Sequence, residues 1–263
     1  MPDDTDIEVP GEEGRRDLIQ SLSRGLAVIR AFDRSAPSMT LSEVAQRTGL
    51  SRAVARRFLL TLVRDGYATT DGKHFRLTPK VLDLGYAYLT SFDVWAVAQP
   101  MMAQVVAQTG ETCSAAVLDD AEIVYVARVA AGRIMQVGLN VGSRLPAFCS
   151  AMGRVLLAGL PPPRRDAILA AAPRPTFTDR TLTDMAAVRA AIAQAAAQDY
   201  AVVDQELEIG LRSLAVPIRS RAGEVRAAMN ISLHTSRGSL PQIVRTFLPA
   251  LRDAAAQIAE LLR

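Results

Sequence analysis

Residues 40–57, TLSEVAQRTGLSRAVARR, decide the fold of the N-terminal part of the chain. Thr40 and Glu43 form a capping-box pattern, which satisfies free backbone amides at the start of a helix. Gly49 lies where a left-handed residue is expected to end that helix, and Ser51 is the expected N-cap of the next one. The spacing predicts two short helices joined by a tight turn, an arrangement that places the second helix in the major groove of DNA.

The second of these helices has an apolar side and a cationic side. At 100° per residue, Val54, Phe58, Thr61 and Leu62 face the core, flanked by Ala55 and Leu59. The opposite side carries Arg52, Ala53, Arg56 and Arg57. Arginine donates to guanine O6 and N7 or to phosphate, and both roles stay open for each side chain. The hypothesis assigns base edges to Arg52 and Arg56 and phosphate to Arg57, with Ser51 beside them.

A hairpin follows this helix. Tyr67–Thr70 and Lys73–Leu77 alternate and flank Asp71-Gly72, a preferred two-residue turn. This predicts a wing, which completes a winged helix-turn-helix. Lys73 and Arg76 are candidate contacts to phosphate or the minor groove. His74 is either a further contact or an ordinary exposed histidine.

Charge is concentrated in the same region. The formal net charge is +3, but residues 15–80 carry 13 basic and 5 acidic side chains, whereas residues 1–14 carry six acids and no base. A basic block of this kind is typical of a module that binds a polyanion, although a solvated charged face produces the same count.

Length and composition predict a multidomain protein. We expect an acidic disordered tail (1–17), the winged module (18–79, its first helix over 21–33), linker helices (80–110) and a larger domain (111–263). The chain has no apolar run long enough to span a membrane and no secretory signal pattern. Cys113 and Cys149 form no closely spaced pair. A reducing, cytoplasmic location with neither disulfide nor metal follows as an expectation.

Residues 111–263 predict a mixed sheet covered by helices. Strands are expected at 113–118, 122–129, 133–139, 200–204, 211–219 and 225–233. Helices are expected around 156–160, closed by three prolines (161–163), over 184–198, and at the C-terminus. The fold class is therefore α+β, with an α/β sensor-like C-terminal domain.

No catalytic constellation is present in the sequence. Nucleophile elbows, phosphate loops and metal-protease motifs are missing, and His234 has no acid or nucleophile beside it. Cys149 is either a small buried residue or a nucleophile, and its surroundings favour the former. Asp204, Glu206 and Glu208 share one strand face and fit metal ligands, a pocket lining or a solvated strand end.

The chain resembles the IclR family of transcriptional regulators over roughly residues 20–262. The motifs that carry the resemblance are SLSRGLAVI (21–29), the helix-turn-helix, FRLTP (75–79), RLPAFCSAMGRVLLA (144–158) and DQELEIGLRSLAVP (204–217). The family implies a winged helix-turn-helix, a linker helix and a GAF-like effector-binding domain. It also implies a dimer or a dimer of dimers on double-stranded operator DNA, and no cofactor. Residues 133–157 are similar to the branch that regulates protocatechuate and 4-hydroxybenzoate catabolism.

The resemblance also implies an effector pocket. Its candidate residues are Ile134, Ala151, Met152, Asp204, Leu211, Ser213, Asn230 and Ser232. Ser213 stands where many members have cysteine, and Ala151-Met152 is bulkier than the pair in glyoxylate-type members. These departures suit an aromatic acid such as protocatechuate or 4-hydroxybenzoate, or its ring-opened product β-ketoadipate. Donors to its carboxylate are expected at residues 150–153, Ser213, Ser232 or Arg212, although alternation also allows Arg212 to be simply exposed.

The sequence is therefore interpreted as an effector-responsive regulator of aromatic-acid catabolism genes. Three alternatives stay open: regulation of another carbon source, an architectural DNA-binding protein without effector control, and an enzyme built on the sensor-like domain.

Overall fold

The computed structural model describes residues 19–91, 94–132 and 139–261. The predicted tail, Ile134 and most of the predicted strand 133–139 lie outside these ranges. The chain divides into two units between Thr90 and Ser91, inside the segment predicted to be a linker.

The first unit is a small helical module with a three-stranded sheet. Its order is α1 (Gln20–Arg30), β1 (Met39–Thr40), α2 (Leu41–Thr48), α3 (Arg52–Arg64), β2 (Ala68–Thr70), β3 (His74–Leu77) and α4 (Leu82–Ser91). The strands are antiparallel in the order β1-β3-β2. The helix-turn-helix and the wing are confirmed, while β1 was not predicted.

The local signals in residues 40–57 act as the sequence predicts. Thr40 accepts a hydrogen bond from the amide of Glu43, and Glu43 accepts one from the amide of Thr40. Gly49 has a φ of 65°, a left-handed value that glycine adopts at no steric cost. Ser51 accepts from the amide of Val54 and so caps α3. These contacts define where α2 begins and ends and where α3 begins.

The buried side of α3 is rotated about the helix axis relative to the predicted one. Ala55 and Leu59 are the fully buried side chains, Val54 and Phe58 are half-buried, and Thr61 is exposed. Thr61 donates to the carbonyl of Arg57 within its own helix, so its hydroxyl needs no core partner. Ala55 and Leu59 join the core of this module, whose other buried residues are Val28, Met39, Val44, Ala45 and Phe75.

The second unit is a six-stranded sheet covered by helices on both faces. Its order is α5 (Val94–Thr109), β4 (Thr112–Asp119), β5 (Glu122–Val129), β6 (Arg144–Pro146), α6 (Ala151–Ala158), α7 (Pro162–Ala171), α8 (Met185–Gln198), β7 (Ala201–Asp204), β8 (Leu211–Arg219), β9 (Val225–His234) and α9 (Leu240–Leu261). The sheet order is β6-β5-β4-β9-β8-β7. α5 and α9 pack on one face, and α6 and α8 on the other.

The prediction of a mixed sheet was wrong, because every pairing in the described sheet is antiparallel. Short connections join β4 to β5, β7 to β8 and β8 to β9, and such connections can only link antiparallel neighbours. β6 and α7 were not predicted. Pro162 and Pro163 begin α7 rather than only ending the helix before it, since proline fits the first turn of a helix.

Candidate effector cavity and DNA-binding surface

The first unit presents a cationic helix face. Arg52, Arg56 and Arg57 are exposed on α3, beside the exposed Ala53. Within residues 19–91 their side chains form no ion pair or hydrogen bond. Arg64, on the same helix, is instead paired with Asp65 at 2.7 Å. The charge on the front of α3 is therefore not neutralised by its own module.

The wing adds two exposed cations. Lys73 and Arg76 are exposed on the hairpin, and Arg76 Nε donates to the Ser38 hydroxyl at 3.1 Å. The Asp71 carboxylate accepts from the amides of Lys73 and His74, which keeps its pKa down to about 2. His74 is half-buried with Nδ1 3.3 Å from Asp71, so its ring is already engaged within the hairpin.

The second unit contains a small cavity between the sheet and the start of α6. It has a volume of about 40 Å³. Six of the candidate effector residues line it: Ala151, Met152, Leu211, Ser213, Asn230 and Ser232. Ser150, which belongs to the predicted donor segment 150–153, also lines it. The sequence did not single out the other lining residues, which are Ile123, Tyr125, Leu139, Leu145, Val203 and Leu207.

Asp204 is not among the lining residues. Its carboxylate is 2.5 Å from Nε of Arg212 and 3.3 Å from Arg180, and these contacts, Arg212 foremost, lower its pKa. Arg212 also donates to the carbonyls of Thr235 and Gly238. Arg212 is thus neither exposed nor available to an effector, and the pair instead fastens β8 to the segment after β9.

Three polar side chains of the cavity are linked by hydrogen bonds. Nδ2 of Asn230 donates to the hydroxyls of Ser213 at 2.7 Å and Ser232 at 3.2 Å. Asn230 is 3% exposed, and its buried Oδ1 has no hydrogen-bond partner among the described residues. Rotating the amide by 180° would exchange its oxygen and nitrogen, so in either orientation one of the two atoms has no partner among the described residues. An unsatisfied buried polar group is costly, so this position suits a ligand that hydrogen-bonds to it.

The helix end facing this cavity is built by tight backbone packing. The Ser150 hydroxyl caps α6 by accepting from the amide of Gly153 at 3.2 Å. A Cβ placed on Gly153 would lie 2.2 Å from the carbonyl oxygen of Ala147, so only glycine allows this approach. The first amides of a helix lack intrahelical partners and carry partial positive charge, which favours an anion there.

A buried ion pair holds this helix in place. The two guanidinium nitrogens of Arg154 lie 2.7 Å from the two carboxylate oxygens of Glu206, and both side chains are buried. Nε of Arg154 donates to the carbonyl of Phe148, and Glu206 accepts from the amide of Leu182. Glu206 is therefore structural rather than a metal ligand, and the two residues are too far apart in sequence for spacing to reveal the pair.

The structure offers no support for catalysis by the cysteines. Burial is the main cause that raises the pKa of the Cys149 thiol to about 12, and burial also raises the pKa of the Cys113 thiol. Both thiols therefore stay protonated, whereas a nucleophilic cysteine acts as the thiolate. Among the described residues, no group of three or more His, Cys, Asp or Glu is arranged to hold a metal. Nor is any described helix long and apolar enough to cross a bilayer.

An open cleft of about 380 Å³ adjoins the cavity. The two share Tyr125, Leu139, Leu211 and Ser232. An apolar cavity that accepts benzene measures about 150 Å³, so the small cavity alone does not hold an aromatic ring. A ring-sized ligand would have to extend into the cleft or widen the cavity.

Comparison with known proteins gives consistent matches along the chain. The IclR helix-turn-helix domain matches residues 21–72, and the model described as the bacterial transcriptional regulator IclR C-terminal matches residues 86–260. The chain is 43% identical to the Pca regulon regulatory protein of Pseudomonas putida, over 95% of this chain and 86% of that protein.

Two further similarities concern hydroxybenzoate. The chain is 34% identical to the p-hydroxybenzoate hydroxylase transcriptional activator of Acinetobacter baylyi, over 93% of this chain and 92% of that protein. Its structure is similar to that of an IclR homolog from Microbacterium hydrocarbonoxydans complexed with 4-hydroxybenzoate. That match has a TM-score of 0.80 at 27% identity and covers 91% of this chain and 98% of the other.

Proposed function

This chain belongs to the IclR family of transcriptional regulators, and on that premise we propose that it controls aromatic-acid catabolism genes in response to a small aromatic carboxylate or its ring-opened product. The observation that carries the proposal is the cavity of the second unit. Apolar walls surround a buried, incompletely satisfied amide and two hydroxyls there. Few polar groups in an apolar enclosure are typical of specific small-molecule sites.

The lining favours an aromatic acid over a two-carbon acid. Met152, Leu145 and Leu207 provide apolar contacts, while Ser213, Asn230 and Ser232 provide hydrogen-bonding groups. A ring with hydroxyl substituents presents both kinds of surface. The named relatives support the same class, since one regulates a Pca regulon and another activates p-hydroxybenzoate hydroxylase expression. Protocatechuate, 4-hydroxybenzoate and β-ketoadipate are the candidate effectors.

DNA binding is assigned to the winged helix-turn-helix, with α3 in the major groove. We assign base edges to Arg52 and Arg56, phosphate to Arg57 and the wing cations, and close approach to the small residues Ser51 and Ala53. Binding as a dimer or dimer of dimers on a palindromic operator is part of the proposal. Effector binding then shifts the population between arrangements of the linker helices that differ in operator affinity.

The experiment is a thermal-shift titration of the full chain with protocatechuate, 4-hydroxybenzoate, β-ketoadipate and glyoxylate. A ligand at about 100 times its Kd adds roughly 2.7 kcal/mol to stability, which raises the melting temperature measurably. Stabilisation by one of the first three, without stabilisation by glyoxylate, supports the proposal. Stabilisation by glyoxylate alone would contradict the effector class and favour regulation of another carbon source.

A separate measurement distinguishes the architectural alternative. Both kinds of protein lose DNA affinity as salt rises, because both release counterions from phosphate. Only a sequence-specific regulator also prefers its operator by roughly a thousandfold or more over scrambled DNA at fixed salt. Equal affinity for both sequences would favour the architectural alternative.

A further inference from the structure

The cavity side of the sheet carries two rows of polar side chains. In the strand register, Arg128 on β5, Ser114 on β4 and Asn230 on β9 lie side by side. Thr112, Ser232 and Ser213 form the adjacent row. The rest of this face packs with apolar side chains against α6. Polar rows on a covered sheet face are unusual and call for a partner.

Arg128 is the cation of these rows. It is half-buried and lines the open cleft together with Ser114, Tyr125 and Ser232. Within the described residues its guanidinium forms no ion pair and no hydrogen bond. A partly desolvated guanidinium without an anion is unfavourable, so this cleft is suited to receive one.

Three other arginines of the same unit are each paired with a carboxylate. Arg154 contacts Glu206 and Arg212 contacts Asp204, as described above. Arg237 lies 2.6 Å from Glu111, whose side chain is 3% exposed. Arg128 is thus the exception among these four arginines.

The remaining groups of the cleft do not supply that anion. Glu111 already pairs with Arg237, and Glu208 is exposed at the rim, where water solvates its charge. Burial raises the pKa of Tyr125 to about 12, with the Arg128 charge opposing the shift, so the phenol stays neutral. Among the described residues that line this cleft, Arg128 is the only arginine or lysine, and it is paired with neither glutamate; the space is large enough for a small organic acid.

We propose that Arg128 binds the effector carboxylate at the cleft, with Ser114 and Ser232 beside it, so that the rest of the effector points toward Met152 and Asn230. The inference rests on the proposed function and adds the effector's orientation. Arginine binds a carboxylate through two parallel hydrogen bonds, which fixes direction as well as charge. The ring then lies in the cleft, and its hydroxyl groups face the polar side chains of the cavity behind it.

Calorimetric titration of the full chain tests this assignment with two pairs of ligands. The acids are protocatechuate and 4-hydroxybenzoate, and each is compared with its neutral carboxamide. The variants are Arg128→Gln and Arg128→Lys, with Arg226→Gln as the control. Arg226 is an exposed arginine on β9 whose partner, Glu224, is equally exposed.

We expect Arg128→Gln to weaken binding of the acid by roughly 10- to 100-fold, the effect of losing a charge-assisted hydrogen bond. Binding of the carboxamide should be nearly unchanged. Arg128→Lys should fall between wild type and Arg128→Gln for the acid, because it keeps the charge without the paired geometry. Arg226→Gln should behave like the wild type.

The outcomes separate this inference from the proposed function. If the wild type prefers the acid and both Arg128 variants keep that preference in full, the carboxylate lies elsewhere and the inference fails alone. If the wild type binds none of the four compounds, the two aromatic acids are excluded as effectors, and the inference about the orientation of their carboxylate fails with them. The fluorescence of Trp95, which is buried in this unit, confirms that each variant is folded.

Discussion

Replacing Glu206 with glutamine removes one charge from the buried pair while keeping the shape of the side chain. Arg154 is then left buried without its anion, while its hydrogen bond to the Phe148 carbonyl can persist. An uncompensated buried charge costs about 3–5 kcal/mol. For a unit of this size, each kcal/mol lowers the melting temperature by about 2–4 °C, so we expect a decrease of roughly 6–20 °C.

The fluorescence of Trp95 measures the melting temperature of the second unit, which contains the Arg154–Glu206 pair. Trp95 is the only tryptophan of the chain and is 7% exposed in the core of the second unit. The matched control is Glu224→Gln, which breaks the exposed pair with Arg226, where the side chains are 62% and 63% exposed. Exposed pairs contribute about 0–1 kcal/mol, so the control should unfold within a few degrees of the wild type.

A double variant tests the cause of the loss. Arg154→Met combined with Glu206→Leu removes both charges, and buried pairs replaced by apolar side chains are often neutral in stability. We expect the double variant to regain much of the stability that Glu206→Gln loses. It should not regain the part contributed by the two hydrogen bonds between the pair and the backbone. If Glu206→Gln unfolds at the same temperature as Glu224→Gln, the pair does not stabilise this end of α6, and the reasoning is refuted.

Three further substitutions test other parts of the account. Gly153→Ala should cost about 1–3 kcal/mol and impair effector binding, because the new Cβ meets the backbone of Ala147. Gly132→Ala is the control, since none of the described residues lies within 4 Å of its added Cβ; equal unfolding midpoints for the two variants would contradict the packing argument. Arg56→Ala should relax base preference at one position of each half-site, whereas Arg64→Ala should not; uniform weakening on all sequences would limit Arg56 to phosphate. Ser213→Ala should weaken effector binding roughly 5- to 10-fold by removing a hydroxyl bonded to Asn230, with operator affinity unchanged; an unchanged effector response would remove Ser213 from the site.

The helix-turn-helix could be predicted from the sequence because its signals are local. The capping box, the left-handed Gly49 and the Ser51 cap each act within a few residues, and the structure contains all three. The inner side of α3 was harder, since a helical projection does not show which neighbouring element covers each residue. For this reason the projection wrongly predicts Thr61 in the core. Its hydroxyl donates a hydrogen bond to the carbonyl of Arg57 in the same helix, and the side chain is exposed.

The lining of the cavity could be predicted from the sequence only in part, because strand register depends on contacts between residues that are distant in the sequence. A bulge between Ala115 and Ala116 shifts the pairing of β4 with β5. Tyr125 and Arg128 therefore share a face although they are three residues apart, which strict alternation forbids. The Arg154–Glu206 pair and the Arg212–Asp204 pair likewise depend on tertiary contacts. Six of the eight candidate residues taken from the family resemblance line one cavity. Asp204 does not line it, because its carboxylate is paired with Arg212 and Arg180. Ile134 lies outside the described residues.

Measuring operator binding with and without effector is a direct test of effector-controlled, sequence-specific DNA binding by this protein. Fluorescence anisotropy of the full chain would be measured on an operator fragment and on a scrambled fragment at one salt concentration, with and without protocatechuate, 4-hydroxybenzoate or β-ketoadipate. We predict a strong preference for the operator and a change in its Kd of at least about fivefold with one of the acids, the lower range of allosteric coupling. Equal binding to both fragments, or an operator Kd that none of the acids changes, would contradict the account.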